Sequence, residues 1–141
     1  MSTRLILAEA LATHYHFGMM YGTHQDYVQY HVLGVVNQMK VHHLSEEHLI
    51  VGFLHDIVED TACTIETITA LFGERIAAAV LAITKLKDET REEYLSRCAK
   101  NKLARMVKLH DALFNATNSA KSKNTERYNY YIQTISQLSA P

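Results

Sequence analysis

Proline occurs once in this chain, at the last of its 141 positions, and glycine only five times. Proline removes a backbone donor and glycine weakens helix, so their scarcity leaves long stretches in which helix can propagate without interruption. No sustained apolar-polar alternation is present, and apolar residues recur at three- and four-residue spacing instead. The chain is therefore predicted to be all-α, a helical bundle of about six to eight helices.

The periodicity places a first helix over 3–17, with Leu5, Ile6, Ala8, Leu11 and Ala12 at helical spacing. Gly18 and Gly22 bracket a loop. A second helix over 27–41 carries Val28, Val32, Val35, Val36 and Met39 on its inward side. Ser45 caps a third, reaching to about Val58, with Glu46 and Glu47 at the positive end of its dipole. Thr64 caps a short helix to Phe72, which Gly73 ends. Further helices are expected over 74–84, 91–98 and 101–117. A polar linker is expected over 118–124, then a last helix with Tyr128, Tyr131, Ile132, Ile135 and Leu138 facing inward.

At 48% apolar and 21% charged residues the composition is that of a globular protein, and 141 residues suffice for one cored domain spanning 1–141. The 14 basic and 15 acidic residues leave a net charge of −1, which gives no overall attraction to nucleic acid or to an anionic membrane. No stretch reaches the roughly 20 apolar residues a membrane span requires, and the N-terminus lacks the pattern of a signal peptide. Cys63 and Cys98 fit two free thiols in a reducing compartment. A cytoplasmic protein is expected.

One stretch departs from plain helix-forming sequence: Gly52-Phe53-Leu54-His55-Asp56-Ile57-Val58-Glu59-Asp60-Thr61. An apolar run ends in an imidazole beside a carboxylate, with two more carboxylates close behind. Burying such groups is unfavourable unless they are paired or bound to metal. His with Asp suits Mn(II), Fe(II), Co(II) or Zn(II). Neighbouring helical residues point about 100° apart, so adjacent ligands work best where a helix ends. The polar residues standing out on otherwise apolar helices are His31 and Asp111; Asp111 also has Lys108 or Arg105 as conceivable ion-pair partners. Of the remaining histidines, His42 and His43 read as solvated and His110 as plain helix surface.

Together these residues resemble the HD-domain metal-dependent phosphohydrolases, in particular the small hydrolases similar to the hydrolase half of RelA/SpoT-type alarmone enzymes. Tyr27-Val28-Gln29-Tyr30-His31 resembles their tyrosine-x-x-histidine segment, without the proline that often follows. Phe53 to Thr61 is similar to the leucine-leucine-His-Asp-x-x-Glu-Asp-Thr signature. Ile83-Thr84-Lys85-Leu86 resembles a Thr-Lys segment, and Val107 to Asn115 the valine-Lys-leucine-x-Asp-x-x-x-Asn segment.

The resemblance implies that His31, His55, Asp56 and Asp111 bind one divalent ion, manganese first, with iron, cobalt, zinc or magnesium as alternatives. It implies Glu59 and Asp60 as the catalytic acid pair. Asn115, Lys85, Lys108 and Tyr27 are the candidates for substrate binding. The activity implied is hydrolysis of a phosphorylated nucleotide by an activated water, in the leading case removal of the 3′-pyrophosphate from ppGpp. The partner is then a small-molecule nucleotide, with neither nucleic acid nor membrane involved and room for a homo-oligomer.

Two departures bear on the substrate. The 18–26 loop carries no Lys or Arg where alarmone hydrolases have basic residues, and Ala112 stands where an Arg often follows the last metal-binding Asp. Both remove positive charge from the place of a multiply phosphorylated guanine nucleotide. The alternatives kept open are a nucleoside monophosphate, a deoxynucleoside triphosphate or NADPH as substrate, or a non-catalytic nucleotide-binding module.

Overall fold

The computed structural model describes residues 2–140, so Met1 and Pro141, the ends of the expected 1–141 domain, lie outside the described residues. Helix α1, Thr3–Tyr15, starts where Ser2 Oγ accepts the Leu5 amide and buries Leu5, Ala8 and Ala12. Ile6, expected on the same stripe, is exposed. The 18–26 segment is more ordered than a loop. Strands β1, Met20–Tyr21, and β2, Gln25–Asp26, pair as an antiparallel hairpin with Met20 opposite Asp26. Gly22 takes a left-handed φ of 65° in the turn, which favours glycine.

Asp26 then caps a six-residue π-helical segment, Tyr27–Val32, which runs directly into α2, Leu33–Val41. Helix α3, Glu46–Leu54, begins at the Ser45 cap and is buried without a break from Leu49 to Leu54. Here the expected helix to Val58 is interrupted. Asp56 adopts φ −109° and ψ 1°, and a short α4, Ile57–Asp60, resumes beyond it. The break lets the adjacent His55 and Asp56 both face the same point, which a continuous helix would prevent.

Helix α5, Ile65–Phe72, starts at the Thr64 cap and ends at Gly73; α6, Glu74–Ile83, follows at once. Helix α7, Arg91–Ala99, opens with a capping box between Thr90 and Glu93. Helix α8, Lys102–Lys121, and α9, Thr125–Ser139, form the long antiparallel pair that closes the bundle.

Helix α8 overruns its expected end at Thr117, and the polar segment 118–121 is helical. Its polar side chains bond back to the preceding turn: Ser119 Oγ donates to the Asn115 carbonyl at 2.8 Å and Asn118 Nδ2 to that of Phe114 at 3.3 Å. On α9 the buried face is narrower than expected. Thr134 and Leu138 are buried, Tyr131 and Ile135 half-buried, but Tyr128 and Ile132 are 38% and 40% exposed.

One hydrophobic core draws on the π segment and on all nine α-helices of the described residues, centred on fully buried Val36, Met39, Ile50, Leu54, Ile57 and Ile76. Burying each such side chain is worth about 1.5–3 kcal/mol. Gly52 permits the close approach of α2 and α3: a Cβ there would lie 2.4 Å from Met39 Cε. Among the described residues, no helix is long and apolar enough to cross a membrane. Cys63 and Cys98 are both buried and free.

Candidate metal centre

Three elements converge at the open side of this core. The π segment supplies His31, the α3–α4 break His55 and Asp56, and the middle of α8 Asp111. One donor atom from each lies within 4.8 Å of all the others. His31 Nε2 is 2.9 Å from Asp111 Oδ1 and 4.0 Å from Asp56 Oδ2. His55 Nε2 is 3.0 Å from Asp56 Oδ2 and 3.4 Å from Asp111 Oδ1.

Donors bound about 2.1 Å from one ion stand about 3 Å apart when they are neighbours in its coordination shell. The observed separations fit that. The tautomer fits as well. His55 Nδ1 pairs with the Gly52 carbonyl at 2.6 Å, which assigns the proton to Nδ1 and leaves the Nε2 lone pair facing the two carboxylates. That buried Nε2 has no hydrogen-bond partner. A bare lone pair aimed at two carboxylates is unfavourable, so this nitrogen calls for positive charge, a proton in the metal-free protein or a bound cation in its place.

The electrostatics say the same. Burial alone would lower the His55 imidazole, but Asp56 and Asp111 outweigh it and hold it well above the usual 6.5. Burial would raise Asp56, yet His55 and His31 bring it down to about 2. Asp111 lies well below the ordinary carboxylate value because Lys108, then His31 and His55, overcome its burial.

Tyr27 and His31 are four positions apart, one more than in the tyrosine-x-x-histidine pattern. The π geometry takes up the extra residue and keeps both side chains on one face, as such bulges do at functional sites. Tyr27 lines the cavity, and its hydroxyl donates to Asp56 Oδ2. Asn115 is buried; it donates to Asp111 Oδ1 at 3.3 Å and accepts from the Tyr21 hydroxyl at 2.7 Å. Lys108 Nζ lies 3.2 Å from Asp111 Oδ2, which makes it the ion-pair partner, while Arg105 instead caps the α9 carbonyls of Leu138 and Ala140.

Glu59 and Asp60 sit exposed on α4. Glu59 Oε1 accepts the Lys85 amide at 2.9 Å, and the Lys85 residue itself is exposed outside the residues that line the cavity. Partial burial, then the charges of Asp56 and Glu59, push Asp60 up to about 6.

A cavity of about 320 Å³ opens over His31, Asp56 and Asp111, with His55 buried outside its lining. One of its lining residues was not singled out in the sequence. Arg127, from the first turn of α9, lies between Tyr21 and Tyr131, 3.3 Å from the Tyr21 hydroxyl, and is the cation among the described lining residues. The available signal was a basic residue in step with the inward positions 131, 134 and 138. Tyr21, the aromatic within the glycine-bracketed segment, stacks on His31 with ring centroids 5.0 Å apart. A second cavity of about 310 Å³, lined by Tyr30 and Asn118, adjoins the first across Tyr21 and Arg127. The expectation that His110 is plain surface is overturned: it is buried against Gln38, with a 2.7 Å contact from Gln38 Nε2 to its Nδ1.

Comparison with known proteins gives a consistent picture. The family model described as HD_4, an HD domain, matches residues 8–130. A GTP pyrophosphokinase of Myxococcus xanthus is 38% identical over 66 residues, 47% of this chain and 8% of that protein. A probable guanosine-3′,5′-bis(diphosphate) 3′-pyrophosphohydrolase of Synechocystis is 56% identical over 41 residues, 29% of this chain and 5% of the relative. A guanosine-3′,5′-bis(diphosphate) 3′-pyrophosphohydrolase of Aquifex aeolicus is 34% identical over 93 residues, 60% of this chain and 13% of the relative. The chain thus spans at most 13% of the length of these relatives. A solved structure of a metazoan ortholog of SpoT, described as hydrolyzing ppGpp and playing a role in starvation responses, matches with a TM-score of 0.84 and 23% identity. That match covers 99% of this chain and 88% of the other, and it establishes the fold.

Proposed function

This chain belongs to the HD-domain family, and we propose that it is a metal-dependent phosphohydrolase acting on a phosphorylated nucleotide, with removal of the 3′-pyrophosphate from a ppGpp-like alarmone as its leading activity. The observation that carries this reading is the convergence of His31, His55, Asp56 and Asp111 on one point beneath a cavity lined by Arg127. The relatives' names support the alarmone as substrate.

His31, His55, Asp56 and Asp111 would hold a divalent ion, manganese first among the candidates, which would supply acidification of a water and neutralisation of phosphate charge. Glu59 and Asp60 lie one turn beyond the ligands, where they orient the attacking water and take its proton. The bond from water oxygen to phosphorus forms as the bond from phosphorus to the 3′ oxygen breaks, the 3′ oxygen takes up the proton removed from the water, and GDP or GTP leaves with pyrophosphate. Arg127 pairs with a phosphate, and its guanidinium suits that geometry. Asn115 holds Asp111 in place and Tyr27 holds Asp56, so both act on the ligands first and on the nucleotide second. Lys108 is engaged with Asp111, and Lys85 is exposed outside the cavity lining. We take residues 1–141 to work as one domain, placed in the cytoplasm on the strength of its two free thiols.

One observation favours a second substrate. The 18–26 segment offers no Lys or Arg, so Arg127 alone supplies positive charge among the described residues lining the cavity. A nucleotide with fewer phosphates at the site, or NADPH, suits that balance.

The test is metal-loaded protein incubated with ppGpp, nucleoside monophosphates, deoxynucleoside triphosphates and NADPH, following phosphate and pyrophosphate release. Turnover of ppGpp that Glu59→Gln reduces to a small residual rate while metal content is retained supports the reading. Nucleotide binding without turnover of any substrate supports a binding module instead.

A further inference from the structure

Glu59 is the one expected catalytic group whose carboxylate is held by backbone from a distant segment. Its Oε1 accepts the Lys85 amide at 2.9 Å, from the connection between α6 and α7. That connection has no regular structure of its own over 84–90. The Arg97 and Glu89 side chains hold it. Arg97 of α7 donates from Nη2 to the Thr84 carbonyl at 2.6 Å and from Nη1 to the Leu81 carbonyl at 2.9 Å. It also grips Glu89 through Nε at 2.7 Å and Nη2 at 3.0 Å. Glu89 Oε1 in turn accepts the Leu86 amide at 3.0 Å. The residues on either side of Lys85 are thus tied to the same guanidinium, directly at Thr84 and through Glu89 at Leu86.

We infer that Arg97 is a positioning residue for catalysis: by clamping the 84–89 connection it presents the Lys85 amide to Glu59 and so fixes where the other carboxylate oxygen stands. This rests on the phosphohydrolase reading above. The planar guanidinium reaches four acceptor atoms on three residues at fixed angles, which a lysine ammonium cannot reproduce. The pair is partly open to water, with side-chain exposures of 30% for Arg97 and 12% for Glu89, so it is the number and geometry of the bonds that hold the connection. A carboxylate that must meet an attacking water loses rate steeply when it is misplaced, on the order of a hundredfold for 1 Å.

The experiment compares Arg97→Gln, Glu59→Gln and the double variant, each loaded with manganese. Arg97→Gln is expected to lower kcat by about ten- to a hundredfold with KM and metal stoichiometry unchanged. In the Glu59→Gln background it is expected to cause no further loss, because both changes remove one arrangement. Arg97→Lys is not expected to restore the rate. Amide hydrogen exchange at Lys85, read by NMR without substrate, is expected to be slow in the unaltered protein and fast in Arg97→Gln. Should Arg97→Gln fail to fold, Glu89→Gln opens the same clamp and is read the same way. An equal loss of kcat in both Glu59 backgrounds, or a Lys85 amide that stays protected in the variant, overturns the proposal. If the unaltered protein turns over no nucleotide, the functional reading fails on its own, and the exchange measurement still decides whether Arg97 holds the Lys85 amide.

Discussion

His55 donates its Nδ1 proton to the carbonyl of Gly52, one turn earlier on α3, at 2.6 Å. This bond sets the direction of the Nε2 lone pair before any ion arrives. In the metal-free protein the two carboxylates hold His55 well above its ordinary 6.5 against the opposing effect of burial, so near neutrality Nε2 carries a proton that an ion must displace. A group raised in this way stabilises the metal-free fold below 6.5, and that contribution disappears as pH rises through its folded value. Metal binding runs the other way: affinity falls about tenfold per pH unit below the folded pKa. Manganese affinity by titration calorimetry is therefore expected to drop by about tenfold or more from pH 8 to pH 6, with proton release on binding. An affinity independent of pH would contradict the assignment of His55.

Asp60 is expected to shape the pH dependence of turnover. Its carboxyl, pushed up to about 6 by partial burial and the nearby Asp56 and Glu59, is ionised above that value and protonated below it. As a proton acceptor it loses function as pH falls, and a bound cation moves the transition downward. The kcat profile should show an acid limb at or below about 6 that vanishes, at a lower flat rate, in Asp60→Asn. An unchanged limb in that variant would remove Asp60 from the proton path.

Gly34 is predicted to tolerate no side chain. A Cβ there would lie 2.3 Å from Phe114 Cε2 and 3.0 Å from Cζ, and Phe114 packs edge-on against His31 with centroids 5.0 Å apart. Gly34→Ala must displace the ring, at about 1–3 kcal/mol for overpacking. Thermal melts should show the lower stability, and manganese titration a weaker site. Phe114→Leu in the same chain should recover part of both. Unchanged melting and affinity in Gly34→Ala would show that Phe114 does not hold His31.

Arg127 should matter to substrate and little to metal. Arg127→Ala is expected to reduce kcat/KM by about ten- to a hundredfold, mostly through KM, since it removes a charge-assisted contact made before reaction as well as during it. Metal stoichiometry should stay the same. Full activity in this variant would assign phosphate recognition to other groups.

The four candidate metal ligands were legible because their chemistry conflicts with their surroundings. His55 and Asp56 end an apolar run, and Asp111 interrupts one, so burial and charge disagree in the sequence itself. The helical class followed with equal directness from the rarity of proline and the spacing of valine and leucine. The π segment was not legible: a wider hydrogen-bonding step over Tyr27–Val32 leaves the hydrophobic pattern unchanged and shows only as one extra residue before His31. Arg127 was hidden for a different reason. Its place at the cavity depends on α8 running to Lys121, and the polar residues 118–121 read as linker because their bonds to the preceding turn are invisible in composition. The clamp on Glu59 lies outside sequence reasoning altogether, since it joins α4, the 84–89 connection and α7 through backbone groups.

The account stands most directly on manganese binding followed by electron paramagnetic resonance in protein first stripped of metal. It predicts one ion per chain in the unaltered protein and no specifically bound ion in His55→Ala, with the helical content of that variant preserved. A signal of free manganese throughout the titration of the unaltered protein, or one bound ion persisting in His55→Ala, would contradict it.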